Sequence, residues 1–202
     1  MALVVWVQGR AIITGLSNKW TDMVGEEQDA FVEWVTDQWE DSDIGCPSEF
    51  RDILLVVSYG SAKERACTYG LVVYLNGRAI TKSEVVPSYL LEASSHRAEA
   101  GGLLGALEVA VTLQQIGVQF LEVQIVTDNE AAVNTAQKGK VTIGAADSDL
   151  FGKLFQLQPK LLVKCDFTWV KGHQDDGVTD LDIPLSIKVR LNIRTDVLVL
   201  EQ

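Results

Sequence analysis

Five apolar residues in succession, Ile53-Leu54-Leu55-Val56-Val57, run into Ser58-Tyr59-Gly60-Ser61. A short apolar run bounded by turn residues predicts a strand buried on both faces, and Gly60 predicts that the backbone swings away at its end. Further on, residues 69–75 and 79–85 form two more apolar stretches around Asn76-Gly77. Asn-Gly between such stretches is the signature of a two-residue type I′ hairpin, so the first three strands form an antiparallel meander. Ser94 or Ser95 then caps a helix running to about Gln115, with Ala100, Leu103, Leu104, Leu107 and Val111 at the spacing of one buried stripe and Gly117 as its end. Gly101, Gly102 and Gly105 lie inside it. Each costs roughly 1 kcal/mol against alanine, which predicts close approach to another backbone. Glu99 lies one turn before Leu103 and projects from the same face, toward the sheet.

Residues 120–126 read as a fourth strand, ending in Thr127-Asp128-Asn129 before a short helix over 130–136. A second helix turns Leu150, Phe151, Leu154 and Phe155 inward, and residues 162–170 give a fifth strand in which Val163, Cys165, Phe167 and Trp169 alternate. A polar loop, Lys171-Gly172-His173-Gln174-Asp175-Asp176, follows. Pro184 suits the first turn of a last helix, with Leu185, Val189, Asn192 and Asp196 on one face. An asparagine and an aspartate that continue an apolar stripe must meet something polar inside. The order is β-β-β-α-β-α-α-β-α. It predicts an α/β fold with a mixed five-stranded sheet, three antiparallel strands followed by parallel additions, and helices on both faces.

The first 50 residues read as a separate leader, and residues 51–202 as the domain proper. In the leader, residues 3–7 and 11–14 pair as a hairpin around Gln8-Gly9-Arg10, and Phe31, Trp34, Val35 and Trp39 form one face of a helix over 26–39. Four acids between Asp37 and Asp43, then Gly45 and Pro47, mark the boundary.

Composition adds bounds. The chain of 202 residues is long enough for one domain with a real core. Its net charge of -11 counts against tight, non-specific nucleic-acid binding. Three scattered cysteines, Cys46, Cys67 and Cys165, form no CxxC pair and suggest reduced thiols in an intracellular setting, cytoplasm or nucleus. The apolar start, Met1 to Val7, is too short for a signal peptide or membrane span.

Four positions converge on the sheet: Tyr59 at the end of the first strand, Glu99 in the first helical turn, Asp128 at the end of the fourth strand and Asp196 on the last helix. Carboxylates gathered from distant parts of a chain repel one another unless a cation neutralises them, and hard oxygen donors suit Mg²⁺ or Mn²⁺. Two such ions about 4 Å apart activate water and stabilise the leaving oxygen in phosphodiester cleavage.

On these residues the chain resembles the type 1 ribonuclease H domain, which cleaves the RNA strand of RNA–DNA hybrids. Ser58-Tyr59-Gly60-Ser61 corresponds to that family's Thr-Asp-Gly-Ser, and His96-Arg97-Ala98-Glu99 to its helix motif ending in Glu. Ile125-Val126-Thr127-Asp128-Asn129 corresponds to its strand ending in Thr-Asp-Ser, Trp169-Val170-Lys171-Gly172-His173 to its Trp-Val-Lys-Gly-His, and Asn192-Ile193-Arg194-Thr195-Asp196 to its Asn-x-x-x-Asp. The likeness spans about residues 52–200, with all five motifs in order. His96-Arg97-Ala98-Glu99 and Gly172-His173-Gln174-Asp175 are closer in flavour to retrotransposon polyproteins, which implies a reverse-transcriptase domain as partner and a connection remnant in the leader. The resemblance implies that Glu99, Asp128 and Asp196 are catalytic metal ligands for weakly bound Mg²⁺ or Mn²⁺. It implies that His173 shuttles a proton or helps product leave, and that Ser61, Asn129 and Asn192 contact substrate.

One residue departs from the pattern. Where the family has an aspartate that contacts both ions, this chain has Tyr59, a phenol that is neutral at pH 7 and a poor Mg²⁺ ligand. Ser58 points to the other face, Asp52 is seven residues back and Glu64 lies beyond the turn. The sequence therefore predicts weak or absent hydrolysis and weak hybrid binding, with a non-catalytic nucleic-acid or protein interaction module as the alternative. The basic insert with which some relatives grip the hybrid is also missing; Gln137-Lys138-Gly139-Lys140 stands there.

Overall fold

The computed structural model describes residues 5–7, 10–12, 39–42, 45–63, 66–86, 93–142, 144–172 and 186–200, and at 5–7, 10–12, 194 and 196–200 the backbone alone. The expected helix over 26–39, except for its last residue, the loop position His173, and Pro184 with Leu185 lie outside the described residues, as does the side chain of Asp196.

Eight strands are described. β1 (Val5–Val7) and β2 (Arg10–Ile12) pair antiparallel, Trp6 opposite Ala11, so Arg10 belongs to a strand rather than to the turn. The central sheet holds β3 (Glu40–Asp41), β4 (Ile53–Lys63), β5 (Ala66–Leu75), β6 (Arg78–Val86), β7 (Glu122–Thr127) and β8 (Lys164–Trp169), in the spatial order β3-β6-β5-β4-β7-β8. The β4–β5–β6 meander is antiparallel, and β7 and β8 add in parallel beside β4. The mixed α/β sheet is the expected one with a sixth strand: Glu40–Asp41 pairs with Arg78 and Ala79 of β6. That two-residue strand is held by the Arg78 guanidinium, which donates to the Trp39 carbonyl at 2.9 Å, while the Trp39 ring is buried in the core.

The β5–β6 turn is of the expected kind, with φ of 51° at Asn76 and 85° at Gly77, the two positive values a type I′ turn requires. Its asparagine also ties down the start of β4. Asn76 Oδ1 accepts from the Asp52 N–H at 2.8 Å, and its Nδ2 donates to Asp52 Oδ1 at 3.0 Å.

Helices α1 (Ser95–Gln115), α2 (Glu130–Lys138), α3 (Ser148–Leu157) and α4 (Ile187–Leu200) cover both faces. Strand alternation sorts the two layers. Leu54 and Val56 of β4 face α1 with Leu103 and Leu107, whereas Leu55 and Val57 face α4 with Ile187 and Leu191. Ser94 is the N-cap of α1, its hydroxyl accepting from the Arg97 N–H at 3.0 Å. The α1 glycines do mark close approach, but to side chains of the sheet: a Cβ at Gly101 would strike Val86, at Gly102 would touch Ser58, and at Gly105 would strike the Tyr69 ring. Among the described residues, no helix is long and apolar enough to cross a membrane.

The largest correction concerns Gly60. The strand does not end there. β4 continues to Lys63 and stays paired with β5, Tyr59 opposite Gly70 and Gly60 opposite Tyr69. What ends near Val57 is the parallel pairing with β7, whose last partner pair is Val57 with Val126. Beyond that point β4 runs on with one flank unpaired by strand, and the first turn of α1 fills that flank.

Candidate functional site

Two chain segments meet where β4 and β7 part. Gly60 lies so close to α1 that a Cβ there would collide with the backbone of Ala98 and Glu99. That proximity lets the Gly60 N–H, freed from β7, donate to Glu99 Oε1 at 2.7 Å. From the other side, the buried Thr127 hydroxyl, last residue of β7, donates to Glu99 Oε2 at 2.7 Å. Glu99 is only 3% exposed, so both of its oxygens are held by groups of the fold rather than by water.

Asp128 follows directly. Its carboxyl stands close enough to that of Glu99 to raise it by charge and by hydrogen bonding. Burial pushes the Glu99 carboxyl up to about 8; the Thr127 hydroxyl and the Gly60 N–H oppose that shift, and the Asp128 charge and hydrogen bond add to it. Asp128 is not the cap of α2. Asn129 is, its Oδ1 accepting from the Ala132 N–H at 2.9 Å, which leaves the Asp128 carboxyl to the acid pair. The end of β8 closes on the same corner. Val170 N–H donates to the Thr127 carbonyl at 3.0 Å, and the Trp169 indole N–H to the Asp128 carbonyl at 2.9 Å. A Cβ at Gly172 would collide with Asp128 Oδ2.

The helix turn that carries Glu99 is anchored from behind. Arg97, 4% exposed, donates through both Nη atoms to Asp149, at 3.0 and 2.9 Å, and through Nη1 to Asp147 at 3.0 Å. His96 Nδ1 lies 2.7 Å from Asp147 Oδ2. These contacts tie the start of α1 to the start of α3, and Asp147 accepts them at a positive φ of 57°.

The expected positions thus separate. Glu99 and Asp128 are joined. Tyr59 is half-buried in the interior of β4, one residue from the Gly60 N–H, and alternation places it on the α4 side with Leu55 and Val57. Ser61 lies further along β4 opposite Thr68, and Asn129 uses its oxygen as a helix cap. Asn192 is 2% exposed on α4, and its Oδ1 finds no hydrogen-bond partner among the described residues. The side chain of Asp196 and the whole of His173 lie outside the described residues. Thr127, Gly60 and Trp169 carry contacts that their motifs named but that no spacing rule assigned to them. Trp169 alternates in phase with buried Phe167 and still stands 45% exposed, because it lies past the last core layer at the edge of the sheet.

Of the three expected metal ligands, the described residues supply the side chains of Glu99 and Asp128. No group of three or more acidic, histidine or cysteine side chains able to hold an ion occurs among the described residues. The Asp128 carboxyl lies beside that of Glu99, both Glu99 oxygens already accept from the fold, and position 59 of β4 carries a phenol, a poor Mg²⁺ ligand.

The structure was compared with known proteins. It is similar to LC11-RNase H1, isolated from compost by a metagenomic approach, with 19% identity over 73% of this chain and 92% of that one and a TM-score of 0.52. It is also similar to RNase H1 of the halophilic archaeon Halobacterium salinarum NRC-1, with 15% identity, 61% and 89% coverage and a TM-score of 0.49. A third similar structure is the N-terminal RNase H domain of a Mycobacterium tuberculosis protein, with 17% identity, 61% and 86% coverage and a TM-score of 0.49. No protein-family model and no curated protein matches the chain. At 19% identity the likeness to LC11-RNase H1 establishes architecture, and the fold of this chain is ribonuclease H-like.

Proposed function

We propose that this chain is a ribonuclease H-type module that engages RNA–DNA hybrids and hydrolyses the RNA strand weakly or not at all. The observation that carries the reading is the Glu99–Asp128 acid pair, held by the Gly60 N–H and the Thr127 hydroxyl, with Tyr59 the residue before Gly60 in β4. Two acids from distant segments, placed together at the end of a parallel strand, are the arrangement a phosphodiester-cleaving site of this fold calls for. The tyrosine removes the oxygen donor that would bridge it.

In this reading Glu99, Asp128 and Asp196 are the acidic ligands for a weakly held Mg²⁺ or Mn²⁺. His173 moves a proton or eases product release, and Ser61, Asn129 and Asn192 touch substrate. When bound, the ion supplies charge neutralisation for the acids and for the phosphate. The protein's own part is positional: Gly60 and Thr127 fix the Glu99 carboxyl, and Trp169 fixes the backbone of Asp128. The motifs His96-Arg97-Ala98-Glu99 and Gly172-His173-Gln174-Asp175 support descent from a retrotransposon polyprotein, with residues 1–50 as the remnant of a connection to a reverse-transcriptase domain. A net charge of -11 makes the expected hybrid affinity modest.

The test is fluorescence anisotropy with one sequence presented as RNA–DNA hybrid and as DNA duplex, at low salt. Tighter binding of the hybrid is expected. Equal binding of both forms, or of neither, refutes the reading.

A further inference from the structure

We propose that the exposed indole of Trp169 is a stacking platform for one unpaired nucleobase beside the acid pair, so that the favoured ligand is a hybrid carrying a single-stranded end. The inference rests on the nucleic-acid reading above and narrows its substrate.

Trp169 is the one aromatic among the exposed large hydrophobic side chains of the described residues; Val85, Leu121 and Leu162 are aliphatic. Its ring is 45% exposed, although its N–H is bonded to the Asp128 carbonyl at 2.9 Å. With the indole donor taken, what the residue still offers is a flat π surface. That surface is also held still: the N–H bond pins the ring, and the Val170–Thr127 backbone bond pins the strand beneath it. A side chain already fixed in place gives up little conformational freedom when a ligand settles on it.

Charge selects the occupant. Nucleic-acid binders usually gain affinity by neutralising phosphates, and a chain with net charge -11 and an acid pair at this corner is poorly equipped for that. Base–aromatic stacking needs no positive charge and is indifferent to sequence, because every base has a π face. Inside a helix both faces of a base are covered by its neighbours. Unpaired bases, as in an overhang, free both faces and can turn onto Trp169, whereas a blunt end offers only the outer face of its terminal pair.

The experiment measures binding of the 202-residue chain to a blunt RNA–DNA hybrid and to the same hybrid with a short single-stranded overhang, for the unaltered protein, Trp169→Phe and Trp169→Ala. The overhang is expected to tighten binding by the unaltered protein about tenfold, within the range of one stacked base. Trp169→Phe keeps a ring but loses the N–H, and retains most of that gain. Trp169→Ala loses it. An overhang that changes nothing in the unaltered protein overturns the proposal while leaving hybrid recognition intact. An equal loss in the Phe and Ala variants also overturns it, since it assigns Trp169 to anchoring Asp128 alone. If the unaltered protein binds neither ligand, the nucleic-acid reading falls and this inference with it.

Discussion

The backbone N–H of Gly60 donates to Glu99 Oε1 at 2.7 Å, across a gap between β4 and α1 too narrow for any side chain at position 60. Glycine is required here by proximity and not by its φ, since residue 60 sits in extended, paired strand. Gly60→Ala forces the strand and the first turn of α1 apart and strips Glu99 of a donor. We expect a loss of about 3 kcal/mol, the upper range for overpacking a tight interior. A fall in the urea midpoint at unchanged slope checks it.

Glu99 sets a pH dependence. Its folded-state pKa is raised, chiefly by burial, from an ordinary 4.5 to about 8. A carboxyl raised on folding favours the protonated native state, so its contribution is complete below about 4.5 and is lost as pH climbs through about 8. The protein should therefore be more stable near pH 5 than near pH 9 through this group, by a few kcal/mol. Glu99→Gln, which keeps the shape and stays neutral, should flatten that slope. Urea titrations of both proteins across the range decide it, and a slope that Glu99→Gln leaves unchanged assigns the dependence to other groups.

Arg97 holds the helix turn that presents Glu99. Removing it leaves Asp147, whose side chain is 7% exposed, without its guanidinium partner inside the protein. Arg97→Ala should cost about 3 kcal/mol, since breaking a buried pair strands a charge. Asp149→Ala should cost about 1 kcal/mol, because that side chain is 56% exposed and water screens it. Equal losses in the two variants would contradict this ranking, which denaturant melts measure directly.

Much of this was legible in the chain, and the failures share a cause. Asn76-Gly77, the Ser94 cap and the stripe of α1 are local codes, each written within a few residues, and the structure carries all three. Gly60 reads locally as a strand end, because a glycine so soon after five apolar residues looks like one, whereas its role is set by α1, more than thirty residues away. Glu40–Asp41 falls in the acidic stretch that the sequence reads as a boundary, and its place in the sheet depends on Arg78 reaching back to the Trp39 carbonyl. The likeness of Ile125-Val126-Thr127-Asp128-Asn129 to a family motif brought Asp128 to notice, but only the fold distinguishes the paired acid from the neighbouring helix cap, Asn129.

We propose that Tyr59 disables a hydrolytic site built on Glu99 and Asp128. The most direct measurement is cleavage of a labelled RNA–DNA hybrid, with Mg²⁺ and then Mn²⁺, by the unaltered protein and by Tyr59→Asp. The account predicts little or no turnover by the unaltered protein and a clear gain in the variant. Robust cleavage by the unaltered protein would contradict it, as would a correctly folded Tyr59→Asp variant that remains inert.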